Sequence, residues 1–266
     1  MINKLVYIFC FLLIACVSLP GSILAENDRI SKIYIAEEGL WPPYTFETGG
    51  IPTKGIAWEV MNAIFTRLDI EIDMRLLPQA RMLQYLRDGK KDAVSVISKN
   101  RDRLTFLDYS DVLLRDTGVI CYSSKRKKPF NWKEFRDLFP YRIGLVSGHN
   151  YGNPFLDAIV MYNLNVQYVT NYEQNFKKLD AGRVDIILIN RSSTSEFLRK
   201  YPDYKARIRI AEKPFFIYDY YTAFSKKSPA SKKSPARLLI PEVNNVIAEL
   251  KKAGVIDQIL EKYNMK

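Results

Sequence analysis

The chain has 266 residues, of which 47% are hydrophobic and 26% charged, room for one large cored domain or two ordinary ones and too apolar for a disordered chain. Its 40 Lys and Arg against 29 Asp and Glu give a formal +11, which attracts small acids, membrane surfaces or nucleic acid alike and does not choose among them. A single histidine, His149, and 3 cysteines leave no usual zinc ligand set, and nothing resembling a nucleophile elbow accompanies the histidine, so neither a metal, a cofactor nor a Ser-His-Asp triad is expected.

At the amino end, Lys4 precedes an unbroken uncharged run from Leu5 to Leu19, shorter than the roughly 18 residues that span a bilayer. Pro20-Gly21 breaks it, and Ile23-Leu24-Ala25 suits a signal peptidase, so residues 1–25 read as a secretory signal. Leu13-Ile14-Ala15-Cys16 reads alternatively as a lipobox, with a lipid-bearing cysteine at the mature amino terminus. Either reading exports the body to a periplasmic or extracytoplasmic location. Cys10 and Cys16 lie in the signal, which leaves Cys121 without an internal disulfide partner.

From Ile30 onward, strand-like and helix-like stretches alternate. Ile33 and Ile35 mark a β-rich run, and Ile56, Val60, Met61, Ile64, Phe65 and Leu68 share one face of a helix. Residues 70–76 alternate as a strand does; Pro78 opens a helix through Met82, Leu83 and Leu86 that Gly89 ends, and 92–97 returns to strand. This β-α-β-α-β order predicts a parallel sheet covered by helices. The order recurs, with strands at 141–146, 166–169 and 184–189 and helices at 154–161 and 171–179, the last with Asn171 and Gln174 spaced as a capping box. Between the two units, Lys125, Arg126, Lys127 and Lys128 mark an exposed connection.

Phe215 to Ser225 is aromatic and β-prone, and two helical patterns follow, Ile240 to Leu250 and Val255 to Tyr263, separated by Gly254. With no further strand, these helices are expected to pack on the first unit. A tandem repeat, Ser225-Lys-Lys-Ser-Pro-Ala230 and Ser231-Lys-Lys-Ser-Pro-Ala236, lies before them. Basic Ser-Pro tracts can dock on nucleic acid, but two copies between well-patterned elements read as a lengthened surface loop; no nucleic acid partner is expected.

Several motifs in order resemble the family 3 extracytoplasmic solute-binding proteins of polar amino-acid ABC importers. Trp41-Pro42-Pro43-Tyr44-Thr45-Phe46 is similar to the aromatic-Pro-Pro-Tyr loop after the first strand. Lys99-Asn100-Arg101-Asp102-Arg103 with Tyr109-Ser110-Asp111 resembles the Thr-Pro-Glu-Arg segment and its Phe-Ser-Asp partner, with Arg103 rather than Arg101 in the arginine's place. Gly144 to Gly152, Leu179 to Asp185 and the ending Leu250 to Tyr263 also match. The resemblance covers nearly all of the chain after the signal. It implies an α/β, two-lobed, type II periplasmic-binding-protein (flytrap) fold, with two mixed, mostly parallel sheets joined by a two-strand hinge. Residues 26–122 and 220–266 would form lobe 1, and 123–219 lobe 2.

The resemblance also implies a site. Arg103 would anchor a carboxylate through two parallel charge-assisted bonds, with Ser95 and Ser98 as further donors; the bland alternative is a surface ion pair with Asp102 or Asp108. The loop with Gly148, His149, Asn150 and Tyr151, between a strand and a helix, offers N–H groups to an anion, although His149 could equally face solvent. Trp41 and Tyr44 would form an aromatic wall or simply pack in the core. Arg81 resembles the arginine of a Pro-Trp-x-Arg segment with Gln79 in place of the tryptophan, and otherwise sits on a solvated helix face. Amino-acid binders usually carry aspartate at the end of the strand that here ends in Asn190, so Glu37 or Glu38 would have to hold an ammonium, or the ligand is a non-amino organic acid. The expected protein is a monomeric binder of a small solute serving an ABC permease. Alternatives are a cyclohexadienyl-dehydratase-like enzyme using Glu37, Glu38 or Glu59, and an exported sensor module.

Overall fold

The computed structural model describes residues 29–39, 41–126, 130–228 and 235–265. The signal and lipobox readings, half of the tandem repeat and part of the Lys125–Lys128 run lie outside the described residues.

The first group of elements is β1 (Lys32–Glu38), a hairpin of β2 (Phe46–Thr48) and β3 (Ile51–Lys54), α1 (Ile56–Arg67), β4 (Glu71–Leu77), α2 (Gln79–Asp88) and β5 (Ala93–Ser98). The apolar stripe read on α1 is buried at Ile56, Val60, Met61, Ile64 and Phe65. Gly89 closes α2 in the left-handed conformation, at φ 75°, where a residue without Cβ is unstrained. Short β6 (Leu107–Tyr109) and long β7 (Leu114–Ser123) follow.

The second group is β8 (Ile143–Val146), α3 (Asn153–Met161), β9 (Val166–Val169), α4 (Tyr172–Asp180), β10 (Ile186–Asn190), α5 (Arg191–Lys200) and β11 (Ile208–Ile210). Asn171 caps α4, its side chain accepting from the Gln174 N–H at 3.0 Å. The reciprocal half of the capping box is missing, because the Gln174 side chain turns to Thr170 instead. Helix α5 has no counterpart in the sequence reading. Its buried residues are Ser192, Ser193, Thr194 and Phe197, so it presents no apolar stripe to detect. Phe197 secures it by stacking on Phe176 of α4 with centroids 3.8 Å apart.

The chain ends with β12 (Phe216–Ser225), α6 (Ile240–Lys252) and α7 (Val255–Lys262), and both helices pack against α1. One hydrogen-bonded path runs β4-β1-β5-β12-β7-β10-β8-β9, with β11 on β7 and β6 on β12. What the resemblance implies as two sheets is thus linked by two shared strands. β7 pairs with β12 over Leu114–Gly118 and with β10 over Gly118–Tyr122. β12 pairs with β7 over Phe216–Tyr220 and with β5 over Tyr220–Phe224. The carboxyl ends of parallel β1 and β5, and of parallel β8 and β10, therefore meet where β7 and β12 change partners, and such strand ends are where open α/β sheets place ligands.

Gly55 holds the segment 41–45 against α1. Its φ is 124°, and a Cβ there would stand 2.3 Å from the Tyr44 carbonyl oxygen, which accepts the Ala57 N–H. Gly55→Ala is expected to lower unfolding free energy by about 2–3 kcal/mol through strain and this collision; a change within about 0.5 kcal/mol in urea unfolding, the range of an inconsequential surface substitution, would contradict that account.

Candidate functional site

Arg103 follows β5 and begins a single 3-10 turn, its N–H donating to Asn100 Oδ1 at 2.8 Å. The residue is only 3% exposed. Nη1 donates to the Ser98 carbonyl at 2.9 Å and to the Ser98 hydroxyl at 3.1 Å, and Nη2 donates to the Gly148 carbonyl at 3.2 Å. Among the described residues, none of its hydrogen bonds or ion pairs runs to a carboxylate. The surface ion pair weighed above is absent from these contacts: Asp102 pairs with Arg87 at 2.9 Å instead. Burial pushes the guanidinium below its ordinary value, though such a group stays charged.

A cavity of about 30 Å³ opens beside this guanidinium. Of the residues singled out in the sequence, Glu38, Trp41, Ser98, Arg103, His149, Asn150 and Asn190 line it. Asn150 Nδ2 donates to the Ser98 hydroxyl at 3.0 Å and the Lys99 carbonyl at 2.9 Å. Gly148, at φ +79°, lets the loop after β8 pass close to Gln79, where a Cβ would stand 2.6 Å from Oε1. Trp41 stacks on Tyr44 with centroids 4.1 Å apart; Tyr44 lies behind it, its hydroxyl donating to Asp116 at 2.8 Å. Ser95 and Tyr151 also serve the walls: Ser95 donates to Glu37, and the Tyr151 hydroxyl accepts the Val146 N–H at 2.6 Å.

Arg81 is exposed on α2 and does not line the cavity. Gln79 and Met82 do, because residues three apart share a helix face and a residue two places on points away. Glu37, Val96, Ile97, Tyr218 and Tyr220 complete the wall. The two tyrosines alternate along β12, a period-2 signal visible in the aromatic run 215–224 that the sequence reading used only to place a strand. Asn190 spends its amide on tyrosines: Nδ2 donates to the Tyr220 hydroxyl at 2.6 Å and Oδ1 accepts from the Tyr172 hydroxyl at 3.0 Å. His149 does not face solvent. Its Nε2 lies 2.8 Å from Glu38 Oε1 and its Nδ1 2.6 Å from the Tyr172 hydroxyl.

Two acids are buried here, Glu37 in the cavity wall and Asp116 outside it. Asp116 accepts from Tyr44, from the Thr117 N–H and from Ser192, and burial pushes its carboxyl above the ordinary range despite those donors. Glu37 accepts from Ser95 and the Val96 N–H at one oxygen and the Glu38 N–H at the other. Desolvation outweighs these three donors and raises its pKa from 4.5 to about 7. Among the described residues no group of three or more His, Cys, Asp or Glu could hold a metal ion, and no helix is long and apolar enough to cross a membrane.

Helix-covered strands meeting carboxyl end to carboxyl end over a buried, carboxylate-free arginine define an α/β protein of the type II periplasmic-binding-protein fold. The family model for bacterial extracellular solute-binding proteins, family 3, matches residues 33–266, and the chain belongs to that family. It is 23% identical over 240 residues to the probable amino-acid-binding protein YxeM of Bacillus subtilis (strain 168), covering 90% of this chain and 85% of that protein. It is 21% identical over 245 residues to the L-cystine-binding protein TcyJ of Escherichia coli (strain K12), covering 91% and 85%. Among solved structures, an ancestral arginine-binding protein bound to arginine matches with a TM-score of 0.73 at 20% identity, covering 88% of this chain and 98% of that one, a likeness of fold.

The raised Glu37 carboxyl has a defined effect on stability. Between pH 4.5 and about 7 the folded protein keeps a proton that the unfolded chain has released. Unfolding free energy therefore falls as pH rises through that window, by about 3 kcal/mol at most from this group. In urea unfolding across that range, Glu37→Gln should flatten the decline; an unchanged slope would contradict the assignment.

Proposed function

We propose that the protein captures a polar amino acid or a related small organic acid between two lobes, residues 26–122 with 220–266 and residues 123–219, and delivers it to an ABC importer after export. The observation that carries this reading is the buried Arg103 guanidinium beside the cavity, bonded among the described residues only to two carbonyls and a hydroxyl. A buried charge without a counter-ion is costly, and a solute carboxylate would supply both the missing charge and bidentate geometry. The relatives' names support an amino acid: one is a probable amino-acid-binding protein and another binds L-cystine.

Binding rather than catalysis fits the site. A general acid must reach the substrate: both Glu37 oxygens are engaged by Ser95, Val96 and Glu38, Glu38 is paired with His149, and Glu59 lies off the cavity, bonded to Lys262 and Tyr263. Incubation with prephenate or arogenate should therefore give no aromatic product.

Thermal unfolding of solute-stripped protein against a metabolite library tests the main reading. One small acid or amino acid should stabilise the fold, by about 2.7 kcal/mol at a hundredfold excess over Kd. Arg103→Ala should abolish the shift, and Arg103→Lys should retain part of it. No shift with any compound would contradict the proposal.

A further inference from the structure

The only histidine of the chain stands where a solute's cation would have to go. The Tyr172 hydroxyl gives its proton to Asn190 Oδ1 at 3.0 Å. His149 ties that hydroxyl, 2.6 Å from Nδ1, to Glu38 Oε1, 2.8 Å from Nε2. The pair is well enclosed, with side chains 8% exposed for His149 and 11% for Glu38.

His149, with Glu38 and Gln79, lines two neighbouring spaces. The inner is the cavity of about 30 Å³ at Arg103, and the outer a hollow of about 390 Å³ lined also by Glu47 and Tyr172. The inner space suits water rather than an amino acid. Among the described residues, two buried polar atoms on residues that line the inner cavity have no partner, the donor Trp41 Nε1 and the acceptor Gln79 Oε1. Such atoms carry a desolvation cost that a bound solute could relieve.

We propose that the His149 imidazole is a tethered competitor occupying the acceptor end of the site, and that a solute is held when its own cationic group displaces the imidazole from Glu38 while its carboxylate meets Arg103. Displacement joins the two spaces. The solute's cation gains Glu38 and Gln79 Oε1 as acceptors, its acidic end gains Trp41 Nε1 as a donor beside Arg103, and its side chain extends into the outer hollow. The ligand class is then a zwitterionic amino acid with an extended side chain rather than a plain organic acid. This inference rests on the solute-binding reading and narrows it. A tethered competitor scales the apparent affinity down to the fraction of molecules in which Glu38 is free.

The test compares wild type, His149→Ala, Glu38→Gln and the double variant, using untagged, solute-stripped protein. Calorimetric Kd values are measured for the standard L-amino acids and L-cystine, each paired with its 2-hydroxy acid, and melting temperatures are measured without added solute. His149→Ala should bind the preferred amino acid about tenfold more tightly, as expected when the competent fraction rises. Glu38→Gln should weaken the amino acid more than its hydroxy acid, and the gain from His149→Ala should vanish on the Glu38→Gln background. A weaker-binding His149→Ala, or a gain that persists without Glu38, overturns the competitor role while leaving the solute site standing. If no compound binds any of the four proteins although the melting temperatures show Glu38 and His149 to be coupled, the solute-binding reading fails and His149 is only a structural tie.

Discussion

An arginine only 3% exposed, its guanidinium without a carboxylate partner among the described residues, is the constraint around which this molecule is arranged. Desolvating such a charge costs several kcal/mol unless hydrogen bonds and countercharge compensate. The protein supplies the hydrogen bonds from two directions. Ser98 comes from the end of β5, and the Gly148 carbonyl from the loop after β8. Asn150 ties that loop to the same serine and to Lys99. The contacts that steady Arg103 thus also draw the two groups of elements together.

The frame beneath these contacts is the exchange of partners between β7 and β12. Each strand pairs with the other over one half and with a different strand over the rest, so backbone bonds continue through the point where the strand ends converge. Asp116, on β7, receives Tyr44 from one side and Ser192 from the other. The Trp41, Tyr44, Tyr218 and Tyr220 rings pack above it within 6 Å, centroid to centroid, of a neighbour. A polar anchor under an aromatic layer gives the site a firm floor, since a satisfied buried network favours one arrangement over its alternatives.

The helices were legible in the sequence where their burial is one-sided, and β10 as an apolar run because it is buried on both faces. Helices α1 and α6 carry continuous apolar stripes, and β9 falls on the residues its pattern marks. Helix α5 was not legible, because its inner face is Ser192, Ser193 and Thr194, which no hydrophobic periodicity reports. At the site, the motifs drew attention to Arg103, His149 and Asn150. Arg81 and Gln79 were distinguishable only once the phase of α2 relative to the cavity was known. The engagement of Asn190 by Tyr172 and Tyr220, residues 18 and 30 positions away along the chain, depends on tertiary placement that a linear pattern does not carry.

A crystal structure of the protein grown with its preferred solute tests the central claim most directly. The account predicts density for a carboxylate with both oxygens within hydrogen-bond distance of the Arg103 guanidinium. Density for the solute elsewhere, with Arg103 still bonded only to Ser98 and Gly148, would contradict it.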